Sequence, residues 1–93
     1  MRTKGRAGPS ARESEYLRRV KLLPCGVCGE GGGESAPSEA HHIKQGLHYL
    51  AIPLCEDCHR GGHNGLHGQA RIWSVMRKDE LSVLNDTVAA LSA

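Results

Sequence analysis

Along the chain, apolar residues recur at helical spacing near both ends and take a strand-like pattern only briefly in the middle. Ser10-x-x-Glu13 spells a capping box, and Tyr16, Leu17, Val20 and Leu23 follow three or four apart until Pro24 stops the run. This predicts a short amphipathic helix that turns Arg12, Arg18, Arg19 and Lys21 to solvent or to phosphate. Residues 30–39, with three consecutive glycines and Pro37, read as an irregular connector. From Ala40 the pattern is strand-like over His41, His42 and Ile43, Gln45-Gly46 offers a turn, and residues 47–54 read as a returning strand closed by Pro53, giving a β-hairpin. A helix is expected from His59 onward. It is short, because Gly61 and Gly62 cost it about 1 kcal/mol each relative to Ala and Asn64-Gly65 signals a turn. Ile72, Trp73 and Met76 mark another helical turn or two, and Asp79 caps a final helix. There Leu81, Leu84, Val88 and Leu91, three and four apart, are expected to pack on the core, although the same stripe left exposed would suit a dimer.

Composition sharpens the picture. The chain of 93 residues has no Phe, one Trp and two Tyr, while its twelve glycines raise the entropy cost of ordering the backbone. A core that thin contributes little margin in a domain of this size, so something besides apolar burial should hold the fold. No secretory signal opens the sequence and no apolar run approaches a membrane span, so the expectation is a soluble cytoplasmic protein with reduced thiols. A disulfide-rich secreted domain does not fit that reading.

Charge is distributed unevenly. Residues 1–24 carry seven basic side chains (Arg2, Lys4, Arg6, Arg12, Arg18, Arg19 and Lys21) against Glu13 and Glu15, a net of +5, which leaves residues 25–93 at −3. Residues 1–9 read as a basic disordered arm and residues 10–93 as a single domain. A basic arm on a mildly acidic body suits DNA, because phosphates neutralised by Lys and Arg release counterions.

Two knuckles, Cys25-x2-Cys28 and Cys55-x2-Cys58, make a four-cysteine tetrahedral set of the kind that zinc prefers. The 26 residues between the pairs exceed the interval of a usual zinc finger, so the segment they enclose must fold as its own unit. All six histidines (His41, His42, His48, His59, His63 and His67) fall within 27 residues. On a strand His41 and His42 point to opposite faces and should have different roles. His59 and His63, four apart, would stack on one helix face and clip a metal ion.

These blocks, His41-His42-Ile43, Pro53-Leu54-Cys55-x2-Cys58-His59 and the upstream Cys25-x2-Cys28, resemble an HNH endonuclease. With His48 seven residues before Cys55 and with Leu66-His67-Gly68, the chain is most similar to phage recombination-enhancement nucleases of the RecA-dependent, Ref-like family, from about Pro24 to the C-terminal helix. The resemblance implies a small α+β fold: a ββα-metal (HNH) finger stapled by the four-cysteine zinc site, with flanking N- and C-terminal helices. It implies DNA phosphodiester hydrolysis that leaves 5′ phosphate and 3′ hydroxyl ends, in a phage or prophage protein acting in a bacterial cell with a RecA-type filament. It assigns His42 as general base and His48 as the residue that orients it. His41 and His59 become ligands of a catalytic divalent ion, His63 the next ligand and His67 a further candidate. With so many imidazoles, Zn²⁺, Ni²⁺ and Mn²⁺ compete with Mg²⁺ for that site. Arg60, next to His59, becomes a candidate phosphate contact. The rival reading is a zinc-stabilised DNA-binding or adaptor module without turnover, in which the histidines close around a second structural ion.

Overall fold

The computed structural model describes residues 8–93. Within them the chain is a small α+β unit: α1 (Ala11–Lys21), β1 (Glu39–His42), β2 (Ala51–Leu54), α2 (Glu56–Arg60), α3 (Arg71–Val75) and α4 (Glu80–Ser92). Residues 1–7, with Arg2, Lys4, Arg6 and most of the expected arm, lie outside the described part.

The local signals at the two ends act as expected. Ser10 accepts from the Glu13 amide while Glu13 returns a bond to the Ser10 amide, so α1 begins on a complete capping box. Asp79 and Ser82 cap α4 in the same reciprocal way. Past α1, Ser38 closes the helix end: its amide donates to Lys21 O at 2.8 Å and its hydroxyl to Leu23 O at 2.7 Å. The irregular connector is thus held against α1 by carbonyls that the helix leaves unpaired.

β1 and β2 pair antiparallel with His41 opposite Ile52 and His42 opposite Ala51. The returning strand is shorter than its pattern predicts. Leu47–Leu50 turn instead of extending, with Leu50 N bonded to Leu47 O, and only Ile43 N to Leu50 O carries the ladder further. Every residue of β2 is buried. Pro53 is tolerated there because a two-stranded sheet leaves its far edge free, and that edge serves the first knuckle through Gly26 N to Pro53 O at 2.8 Å.

The core cluster is Cys25, Val27, Ile52, Leu54, Cys58, Trp73 and Val83, so two of its seven members are cysteines. Trp73 ties α3 to α2 by donating its indole N–H to Cys58 O at 2.8 Å. On α4 the fully buried residues are Val83 and Thr87; of the apolar stripe Leu84 packs against the core and Leu91 is half-buried, whereas Leu81 is 69% exposed and Val88 46%. Small side chains let the helix approach closely. A Cβ added at Gly26 would overlap the Val83 side chain, so the knuckle glycine makes the space that Val83 fills. No helix of the described residues is long and apolar enough to cross a membrane.

Candidate metal centres

The two cysteine pairs meet. Cys25 and Cys28 follow α1, Cys55 is the N-cap of α2 and Cys58 lies within that helix, and their four Sγ atoms all lie within 4.8 Å of one another. The cysteines are free of disulfides, and Cys28 and Cys55 stand 3.7 Å apart at Sγ. Amides already point at the sulfurs, Val27 N to Cys25 Sγ and Cys58 N to Cys55 Sγ, both at 3.4 Å. Burial opposes ionisation of Cys25, but backbone N–H groups of Cys28, Cys55 and Val27 hold its thiol down to about 7. Burial and the neighbouring thiols push Cys58 strongly up. Four thiolates cannot share this space without a cation to balance them, and a divalent ion fits the donor set.

A second group lies one residue further along. His41, His59 and His67 each offer a ring nitrogen, and these nitrogens also lie within 4.8 Å of one another. His41 comes from β1 and is 9% exposed, His59 comes from α2, and His67 comes from the loop that follows and is exposed. His41 Nδ1 faces His59 Nε2 at 3.1 Å, and the ring centroids of His41 and His59 lie 5.2 and 4.9 Å from that of His67.

The outward nitrogens of two of these rings face carboxylates. His41 Nε2 sits 2.6 Å from Glu80 Oε2, and His59 Nδ1 sits 2.7 Å from Glu39 Oε1. A carboxylate accepts an N–H, so each glutamate fixes its imidazole with the proton outward and the lone pair inward. Two lone pairs 3.1 Å apart repel unless a proton or a metal ion lies between them. Carboxylate, imidazole and ion in series is the usual outer support of a histidine metal site. Arg60 Nη2 in turn holds Glu39 Oε2 at 2.5 Å, and Arg60 first, then His59, keeps the Glu39 carboxyl below its ordinary range. Burial lowers His59; Glu39 opposes that shift, while His41 and His67 add to it.

His63 stands apart from this group. Helix α2 ends at Arg60 and Gly61 is extended, so His59 and His63 do not share a helix face, and His63 is exposed with its carbonyl accepting from Arg71 N. The loop instead folds back on the helix: Leu66 N bonds to Cys58 O at 2.8 Å and His67 N to His59 O at 3.1 Å. That return is possible because three glycines stack. A Cβ on Gly65 would overlap the Gly61 backbone, and one on Gly68 would lie 2.5 Å from both Gly61 O and Gly62 O.

His42 and His48 form a separate pair. His42, on the other side of β1 from His41, lies 3.0 Å through Nε2 from His48 Nδ1, and His48 stands in the turn before β2. Burial first, then His48 and His41, depress the pKa of His42 below the ordinary imidazole value. Among the basic residues, Arg12 and Lys21 are exposed on α1, Arg18 forks onto Glu15, and Arg19 donates to Leu91 O at 2.8 Å, which binds α1 to the end of α4. Arg60 is spent on Glu39.

Glu39 and Glu80 escaped the sequence reading, since nothing in their spacing marks them. Glu80→Gln keeps the shape and the Asp79 cap but cannot hold an imidazole N–H as a carboxylate does. We expect 10- to 100-fold weaker Ni²⁺ binding at the histidine site of zinc-loaded protein by titration calorimetry, from the usual cost of losing such a partner. Unchanged affinity would reduce Glu80 to a first-turn helix acid. No family model, curated protein or solved structure matches this chain, so its activity has to be argued from these two centres.

Proposed function

We propose that the protein is a metal-dependent DNA endonuclease of the HNH type. The observation that carries this reading is the three-histidine centre. Among the described residues it gathers three ligand side chains and no fourth, its third histidine is exposed, and two of its rings are backed by glutamates. Three protein ligands with an open side are the plan of a catalytic site, whereas a structural site is closed by four. The four-cysteine group beside it meets the structural plan. The run β1, β2, α2, with a histidine on the first strand and another on the helix directly after the last zinc cysteine, supports the ββα-metal finger as the local fold.

A divalent ion at His41, His59 and His67 would supply Lewis acidity toward a phosphate oxygen and toward the leaving 3′ oxygen. Glu39 and Glu80 keep two of these rings aimed inward. His42 serves as general base. In the tautomer that points its Nε2 proton at His48 Nδ1, 3.0 Å away, Nδ1 is left to take a proton from the attacking water. His48 thereby orients the base and shares the charge it gains. Water oxygen joins phosphorus as the bond to the 3′ oxygen breaks. The exposed Arg12 and Lys21, with the basic residues that precede them in sequence, favour a polyanionic substrate.

Plasmid nicking by the parent and by His42→Ala tests this, with Mg²⁺, Mn²⁺, Ni²⁺ and Zn²⁺ in parallel, with and without a RecA-type filament on single-stranded DNA. The expected result is cleavage by the parent and cleavage about 100-fold slower by the variant, the usual size of a general-base contribution. Equal rates would refute His42 as base. No nicking in any arm by folded, zinc-loaded protein would favour the non-catalytic DNA-binding module.

A further inference from the structure

Helix α3 is bracketed by two non-glycine residues in the left-handed region, Ala70 at φ 54° and Arg77 at φ 55°. Arg77 occupies the position after the C-cap of a complete Schellman turn: Lys78 N bonds to Trp73 O at 3.0 Å and Arg77 N to Ser74 O at 3.1 Å. Glycine is the usual occupant there because a Cβ is strained. An arginine kept at such a position asks what its side chain does.

Both strained residues line one open cleft of about 370 Å³, together with Leu66, Trp73, Ser74 and Glu80. This volume is at the lower end of small-ligand clefts. The cleft adjoins the histidine centre from two sides. Glu80 accepts from His41, and Leu66 precedes His67. Its charges are largely committed elsewhere. Glu80 serves His41, Asp79 accepts from Ser82 N, and the Lys78 ammonium reaches Gly26 O at 3.1 Å and Asp86 at 3.5 Å. Arg18, Arg19, Arg60 and Arg71 each hold a protein partner. Among the described residues the Arg77 guanidinium holds none, and it is exposed.

We infer that this cleft is a subsite for a backbone phosphate of the nucleic acid adjacent to the reacting one, with Arg77 as its anion contact. The inference rests on the nuclease reading and deepens it: the strand would run from the histidine centre along the start of α4 toward the end of α3. Arg77 then adds affinity and register and takes no part in bond breaking.

The test separates strain from function. In a His42→Ala background, where cleavage is slow, the affinity of a fluorescein-labelled duplex and its dependence on salt are measured for Arg77, Arg77→Gly and Arg77→Lys. Arg77→Gly should melt roughly 4 °C higher, since glycine accepts the turn, yet bind about fivefold more weakly on every sequence with a salt slope reduced by about one. Arg77→Lys keeps the charge and should keep the slope. A slope unchanged by Arg77→Gly, or one lowered equally by both variants, overturns the inference. Failure of the unsubstituted background to bind DNA overturns it together with the nuclease reading. Binding with the predicted slopes from a parent protein that never nicks keeps Arg77 as a phosphate contact but overturns its place beside a reacting phosphate together with the nuclease reading.

Discussion

A strong chelator that empties the four-cysteine centre will unfold the whole protein, and Cys58→Ala will fail to fold at all. Cys25 and Cys58 are 3% and 1% exposed and belong to the same cluster as Ile52, Leu54, Trp73 and Val83, so the centre lies inside the core. Its four sulfurs come from the segment after α1 and from both ends of the first turn of α2, so an ion held by all four ties those pieces together. Structural zinc contributes roughly 10 to 16 kcal/mol of apparent folding free energy. Domains of this kind have about 5 to 15 kcal/mol in total. Removing the first therefore takes away most or all of the net stability. Far-ultraviolet circular dichroism through a thermal melt, before and after chelation, reads the result directly; a melting curve that metal removal does not move would show that the apolar core suffices alone. Re-addition of Zn²⁺ should restore the transition, which distinguishes loss of the ion from damage by the chelator.

The parts of the fold that were legible in the sequence are those fixed by short-range chemistry. Ser10-x-x-Glu13 and Asp79 named two helix starts because a cap is a contact between residues three apart. The knuckles named the four-cysteine cluster because a tetrahedral thiolate metal site dictates both ligand type and spacing. What escaped depends on contacts that no local pattern encodes. Glu39 and Glu80 are 41 residues apart, ordinary by neighbourhood, and become a matched pair only where β1, α2 and α4 converge. The α4 stripe held only in part, with Leu84 against the core and Leu81 and Val88 exposed, because 3–4 spacing records where apolar residues recur but not which of them the neighbouring elements leave room for. Val83 is buried because it fills the space that Gly26 leaves. His63 misled for a related reason. Helical spacing from His59 presumes a helix that continues, and the same glycines that argue against continuation are what carry His67 back. Gly61, Gly65 and Gly68, three and four apart, were the available signal: glycines at that spacing with no helix to occupy mark a backbone packed on itself.

His67→Ala should accordingly destroy the histidine centre, and His63→Ala should leave it intact. His67 reaches the cluster through its own amide, bonded to His59 O, so its ring is placed by the backbone and not by a flexible tether. His63, in the exposed part of the loop, contributes its carbonyl to Arg71 N and has no ring contact with His41 or His59. Sharing about 10 to 16 kcal/mol among four ligands assigns each about 2.5 to 4 kcal/mol, or about 70- to 700-fold in affinity. Zinc-loaded His67→Ala should therefore bind Ni²⁺ or Mn²⁺ at the second centre roughly 100-fold more weakly than the parent, and its nicking should fall in step. Its melting temperature should stay close to the parent's, because His67 is exposed and the four-cysteine centre is untouched. His63→Ala should match the parent in all three measurements. The opposite ranking, with His63→Ala losing the metal and His67→Ala keeping it, would mean that the glycine loop opens in solution and that α2 extends to bring His59 and His63 onto one face. Full metal binding by both variants would remove His67 as well as His63 from the ligand set, since two imidazoles alone hold such an ion only weakly and a further ligand would have to complete the site.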